Sequence, residues 1–303
     1  MQIIDSLENL NIEGRSAVAI GKFDGIHRGH RVLLDDILKR KEEGMAAVVL
    51  TFEPSPAAFF SDKEYKGLTT RDEKRRIFNK LGIDILVEYP LNDETAAVAA
   101  EEFVRNILVA RLHAAYVVCG TDFSFGRGGM GNALLLEKMG DELNFEVAVH
   151  SKKLMGNSEI SSSLIRNEVE EGHMEMVEDY IGAPYSVTGK VQVGRQIGRT
   201  IGMPTVNLIP DEDKLLPPFG VYKSMVSVNG GHFKGITNIG VNPTVTNENK
   251  VTVETHIFDF NEDIYGLTII VNLLRFIRPE RKFADTLELK HQIEKDIEFA
   301  KAD

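Results

Sequence analysis

The sequence predicts an α/β protein in two parts: a parallel, doubly wound sheet, then a small antiparallel barrel with a terminal helix. Three observations point there. A chain of 303 residues is about twice the length of a common domain. Up to about residue 183, strand-like and helix-like patterns alternate, as they do in a parallel sheet covered by helices. Beyond Gly182-Ala-Pro184, strand-like runs follow one another with only turns between them, which is the pattern of a barrel. The expected domains are therefore residues 1–183 and 184–303.

In the first part, Ser16–Ile20 reads as a short buried strand followed by a glycine-containing turn. A helix runs from about Gly29 to Glu43, with Val32, Leu33, Ile37 and Leu38 on one face and Gly44 as its stop. Met45–Phe52 is the next strand. Thr70-Arg-Asp-Glu73 is a capping box that opens a helix ending near Gly82. Ile83–Tyr89 is strand-like, Glu94–Leu112 reads as one long helix, and Ala114–Cys119 is a strand again. Asn132–Met139 is a short helix and Phe145–His150 a strand. Ser161-Ser-Ser163 caps the first of two helical pieces that reach Tyr180. In the second part the strand-like runs are Ser186–Val193, Gly220–Val228, His232–Ile239, Val251–Phe260 and Leu267–Phe276. Asn229-Gly230-Gly231 is a hairpin signal. Asp285–Ala302 is an amphipathic helix with Leu289, Ile293, Ile297 and Ala300 on one side.

Composition removes several functions. Lys plus Arg is 35 and Asp plus Glu 46, for a net charge of −11, which argues against nucleic acid or an anionic membrane as partner. Residues 1–183 carry 21 basic and 31 acidic side chains, a balance of −10, whereas residues 184–303 carry 14 and 15. The single cysteine, Cys119, allows no internal disulfide and no cysteine-based zinc site, and suits a reducing compartment. No signal peptide is legible, and the longest apolar stretch, Met45–Phe52, is too short to cross a bilayer. A cytoplasmic protein is expected, as a monomer or weak homo-oligomer.

The densest constellation is Gly21-Lys-Phe-Asp-Gly-Ile-His-Arg-Gly-His30, between the first strand and the first helix. Gly21, Gly25 and Gly29 let backbone approach a ligand. His27 and His30 lie at a helix N-terminus, where free N–H groups and the dipole attract phosphate. Taken alone, the histidine pair reads first as a polar turn with surface histidines; a metal pair is the lesser reading, since the other six histidines are scattered and no acidic cluster completes a site. Gly126-Arg-Gly-Gly-Met-Gly131 satisfies G-x-G-x-x-G, but the preceding strand ends near Cys119 and no acidic residue closes the next strand. It reads as a flexible glycine loop.

The ten-residue string resembles the GxFDGxHxGH signature of the HIGH-type nucleotidyltransferases, in the form found in prokaryotic bifunctional riboflavin kinase/FAD synthetases. Gly120-Thr-Asp-Phe-Ser-Phe-Gly126 resembles that family's GxDFxFG segment, and Ile160-Ser-Ser-Ser-Leu-Ile-Arg166 its ISSTxIR segment. Thr51-Phe-Glu-Pro-Ser-Pro56 matches TFxPHP, except that Ser55 stands where His is usual. The resemblance implies a Rossmann-like domain that adenylylates FMN, with Gly21, Phe23, Asp24, Gly25, His27, His30, Asp122, Ser162, Ser163 and Arg166 around the ATP phosphates. Of these, His27, His30 and Arg166 would stabilise the charge that develops during transfer.

In the second part, Gly194-Arg-Gln-Ile-Gly198-Arg-Thr-Ile-Gly202-Met-Pro204-Thr205-Val-Asn207 reads as a glycine flap with cations at Arg195 and Arg199. Thr205 and Asn207 offer oxygens to a hard cation. This string is similar to the riboflavin kinase signature ending in PTxN, which implies Mg²⁺ with ATP at Thr205 and Asn207. Gly220-Val-Tyr222, Ile239-Gly-Val-Asn-Pro-Thr244, Val253–Phe260 and Phe276–Phe283 recur in that family in this order. Strand alternation sets Thr252, Glu254 and His256 on one face, opposite Val251, Val253 and Ile257. Pattern alone makes Glu254 a solvated carboxylate; the resemblance makes it the kinase general base, in a Greek-key barrel. Riboflavin, FMN and FAD are the flavins implied. A chain with only the kinase step, or a non-catalytic flavin- or nucleotide-binding regulator, are the alternatives.

Overall fold

The computed structural model describes residues 1–61, 64–192, 202–243 and 249–302, which fall into two compact units, Met1–Ser162 and Ser163–Asp303. The strands of the first unit are β1 (Gln2–Ile4), β2 (Ser16–Ile20), β3 (Ala46–Glu53), β4 (Ile85–Pro90), β5 (Ala114–Gly120), β6 (Ser124–Phe125), β7 (Gly131–Asn132), β8 (Glu146–His150), β9 (Leu154–Met155) and β10 (Ser158–Glu159). Between them lie the helices α1 (Arg28–Glu42), α2 (Pro56–Phe59), α3 (Arg71–Lys80), α4 (Asp93–Ala96), α5 (Ala100–Phe103) and α6 (Ala133–Leu143).

Six parallel strands form one sheet in the order β1-β4-β3-β2-β5-β8, as the alternating pattern predicts. Apolar residues line both faces because helices cover both. Val18, Ile20, Val48 and Leu50 enter one core and Ala17, Ala19, Ala47 and Val49 the other. From β2 the chain moves outward through β3 and β4, then returns to the other side of β2 at β5. This reversal opens a crevice at the carboxyl ends of β2 and β5, the usual ligand position in such sheets.

The expected long helix over Glu94–Leu112 is corrected to α4, a break at Ala97–Ala99, α5 and a π-helical stretch over Val104–Val109. A long-range contact opens it: the Arg127 N–H donates to the Val98 carbonyl at 2.7 Å. Gly126, at φ 71°, lies so close to Ala100 that a Cβ on it would meet the Ala100 Cα at 2.6 Å. In α1 the fully buried face is Leu33, Leu34 and Ile37, so Leu34 takes the place expected for Val32 and Leu38, which are half-buried.

The second unit begins with α7 (Ser162–Glu171, whose first residue belongs to the first unit) and α8 (Met174–Ile181). Its strands are β11 (Tyr185–Gln192), β12 (Val206–Leu208), β13 (Gly220–Val228), β14 (Gly231–Pro243), β15 (Asn249–Ile257) and β16 (Thr268–Pro279), followed by α9 (Thr286–Lys301). They close an antiparallel barrel in the order β11-β12-β15-β14-β13-β16. After the meander β13-β14-β15, β16 returns beside β13, which is a Greek key. The β13–β14 hairpin turns on Asn229 and Gly230, with φ of 49° and 78°, the double left-handed geometry that an Asn-Gly pair accepts. Ile293, Ile297 and Ala300 of α9 pack on Val221, Ile236 and Phe258. The short β12 was not read from the sequence, because its three residues lie inside a glycine- and proline-rich motif that masks the period.

Candidate functional sites

The first site forms in the crevice beyond β2. Its turn is held by Asp24, buried at 6% exposure. Asp24 Oδ1 accepts from the Leu68 and Thr69 N–H groups at 2.8 and 3.3 Å, and Oδ2 from the Tyr65 hydroxyl at 2.9 Å. The Ser162 hydroxyl donates to the Asp24 carbonyl at 2.9 Å, tying the start of α7 to the same turn. Gly25, at φ 83°, turns beneath Leu68, and Phe23 is completely buried. Gly21 leads out of β2 against the Phe23 ring. Asp24 thus braces the loop through the Leu68 and Thr69 N–H groups and the Tyr65 hydroxyl.

His27 ends that loop as the N-cap of α1. Its Nδ1 accepts from the Gly29 and His30 N–H groups at 3.2 and 3.3 Å. Two of the first-turn N–H groups expected to await phosphate are therefore already taken by the imidazole. Since Nδ1 is an acceptor, the neutral ring carries its proton on Nε2, which remains a donor. Burial lowers His27 to about 4, although Asp24 and Asp122 pull the other way. His30 stacks on His27 with ring centroids 3.7 Å apart. Burial first, then the neighbouring His27 and Lys74, hold His30 well below the usual histidine range. Its Nδ1 is enclosed and has no hydrogen-bond partner among the described residues.

Beyond β5, Asp122 is exposed and lies 3.4 Å from Lys152 Nζ. The Gly126–Gly131 segment, expected to be a flexible loop, is corrected to a compact turn joining the paired strands β6 and β7. Gly126 and Gly131 both press on Ala100, so these glycines answer to packing, not to a pyrophosphate. Ser55 caps α2, accepting from the Ala58 N–H at 3.2 Å. Ser163 and Arg166 follow Ser162 on α7, exposed and half-buried respectively. Sequence reasoning missed Lys74 of α3, read there only for its capping box; its burial depends on the face α3 turns inward.

The second site lies on β12, β14 and β15 of the barrel. Asn207 of β12 stands directly opposite Glu254 of β15, and Glu254 in turn opposite Asn238 of β14. Val253, Thr255 and Ile257 are buried while Thr252, Glu254 and His256 point the other way, as alternation predicts. Asn207 lies on the Glu254 side of β12, and Thr205 immediately precedes that strand. His256 Nδ1 and the Pro204 carbonyl are 2.8 Å apart, which fixes the chain entering β12. A recess bounded by Pro204, Thr205, Ile257 and Phe260 opens beside them. Gly202 is exposed with φ 78°, whereas Gly194, Gly198, Arg195 and Arg199 lie outside the described residues. Asn238 was missed because only strand register reveals it as a neighbour of Glu254.

A parallel sheet with a histidine-bearing loop at its switch point, joined to a closed barrel carrying a Thr-x-Asn/Glu cluster, defines a two-part phosphate-chemistry protein. Residues 10–164 match the family model for FAD synthetase, and residues 181–303 the model for riboflavin kinase. A bifunctional riboflavin kinase/FMN adenylyltransferase of Listeria monocytogenes is 36% identical over 94% of this chain and 91% of its own length. The protein of the same description from Buchnera aphidicola is 37% identical over 99% and 98%. A solved structure described as a macrolide-efflux protein from Streptococcus pneumoniae superposes with a TM-score of 0.88 at 29% identity, covering 99% of this chain and 98% of that one. Among the described residues here, no helix is long and apolar enough to cross a membrane. The chain belongs to the bifunctional riboflavin kinase/FMN adenylyltransferase family.

Proposed function

We propose that this chain makes FMN from riboflavin and ATP with residues 184–303, then FAD from FMN and a second ATP with residues 1–183. The observation that carries the reading is that each half matches its own family model while holding its own polar cluster. In the kinase step, the riboflavin 5′-hydroxyl oxygen bonds to the γ-phosphorus of ATP, the bond to the β-phosphate oxygen breaks and ADP leaves. Glu254 takes the hydroxyl proton. Thr205 and Asn207 present neutral oxygens beside the Glu254 carboxylate, a donor set that fits Mg²⁺, and these two residues would hold it. Bound there with ATP, Mg²⁺ would supply positive charge against the phosphates. Gly194, Gly198, Gly202 and Pro204 belong to the sequence motif that resembles the kinase's ATP- and flavin-binding signature.

In the adenylyl transfer, an oxygen of the FMN phosphate bonds to the α-phosphorus of ATP and pyrophosphate departs. The nucleophile is already ionised, so the step needs positioning and charge stabilisation, not a base. Neutral His27 offers Nε2–H to a phosphate oxygen while its Nδ1 stays committed to the helix. His30, Ser162, Ser163 and Arg166 complete the polar set, and Gly21, Phe23, Asp24, Gly25 and Asp122 shape the loops around it. The charge of −11 supports small-molecule partners over nucleic acid or a membrane surface, and the single cysteine suits the cytoplasm, for a monomeric or weakly associating enzyme.

Incubating the pure protein with riboflavin, ATP and Mg²⁺, and resolving the flavins by chromatography, tests the reading. Sequential appearance of FMN and then FAD is expected. FMN alone would leave a kinase, and no product from riboflavin or from supplied FMN would leave a non-catalytic binder.

A further inference from the structure

Lys74 lies in the second turn of α3 at 8% exposure, a position where a lysine is normally paired. Its neighbours on the helix are committed. Arg71 and Arg75 both bind the buried Glu88 of β4, with Nε atoms 2.8 Å from its oxygens. Lys74 itself has no carboxylate within 4 Å and no hydrogen-bond acceptor among the described residues. Its direction follows from packing: Phe78, one turn on along the same face, stacks edge-on against Phe23 at 5.6 Å, and Phe23 meets His30 at 5.2 Å. Lys74 therefore faces the His27/His30 pair, where an enclosed imidazole nitrogen also has no partner.

The Lys74 side chain is largely buried but its ammonium is not among the enclosed polar atoms, so its charge meets solvent, and the two neutral imidazoles beside it supply no counter-charge. An anion brought in by a ligand does. The surrounding unit is acidic, so a cation at this spot is not redundant. We infer that Lys74 is a phosphate ligand of the adenylyltransferase site, binding the triphosphate of ATP and its pyrophosphate product. The inference rests on the adenylyl-transfer reading above. A lysine that only lays its stem along Phe78 with its head in water would not discriminate phosphate from uncharged ligands.

The test uses the full chain with Lys74→Gln and Lys74→Arg, following FAD formation from FMN, with FMN formation from riboflavin as the internal control of folding. Lys74→Gln should lower kcat/KM for ATP by about 10- to 100-fold, the size of one lost charged hydrogen bond. Lys74→Arg, which keeps the charge, should recover most of it. Inhibition by pyrophosphate should weaken in Lys74→Gln while inhibition by adenosine, which has no phosphate, stays unchanged. Equal weakening of both inhibitors, or wild-type kinetics, would overturn the assignment. Calorimetric binding of pyrophosphate reads Lys74 even if the unsubstituted chain makes no FAD. In that event, binding lost on Lys74→Gln sinks the transfer reading alone, and binding unchanged sinks the Lys74 assignment itself.

Discussion

At His27 the ring caps a helix: Nδ1 accepts two backbone N–H groups of α1, which leaves the neutral ring its proton on Nε2. The arrangement works only with a neutral ring, and burial holds His27 near 4. An unfolded chain takes up the proton near 6.5, so as pH falls below that value protons favour the unfolded state. Stability present above about pH 6.5 is then lost down to about pH 4, by up to about 3 kcal/mol from this one group. His27→Asn keeps a capping oxygen but does not titrate. Chemical denaturation at pH 7 and pH 4.5 should show a smaller acid loss in His27→Asn than in the unsubstituted chain; equal losses would contradict the assignment. The spacing of His27 and His30 after a strand was legible in the sequence. The engagement of Nδ1 was not, because it depends on where the first-turn N–H groups of α1 point.

Among the elements, the Gly126–Gly131 turn and the break before α5 explain each other. Strands β2, β3, β4, β5 and β8 were legible because each is a continuous apolar run between turn residues. The break was not, since Glu94–Leu112 is helical in period and is interrupted only by contacts from residues about thirty positions away. Gly126→Ala places a methyl at positive φ and against Ala100 backbone at 2.6 Å, and should cost roughly 2–4 kcal/mol. Gly128→Ala, at φ 63° with nothing within 4 Å, should cost only about 1 kcal/mol. Thermal unfolding of the two variants compares them, and equal shifts in Tm would argue against the packing role. In the barrel, alternation placed Glu254 correctly, but its pairing with both Asn207 and Asn238 is a property of register across three strands. No local pattern carries that.

Across the whole molecule, the two activities of the family give a physical reason for two units, each with its own core and its own polar cluster. The order of the motifs along the chain is the order of the two family models, FAD synthetase and then riboflavin kinase. The uneven charge, −10 on residues 1–183, sets the adenylyltransferase half against the polyanions it is proposed to bind. Under the proposed function, attraction there is local, from the His27, Lys74 and Arg166 side chains assigned to phosphate above. The division of labour is tested most directly by following both products in Glu254→Gln. FMN formation from riboflavin should fall by about 10²- to 10⁴-fold, the usual worth of a general base. Supplied FMN should be converted to FAD at the unsubstituted rate. Loss of both activities together, or of neither, would contradict it.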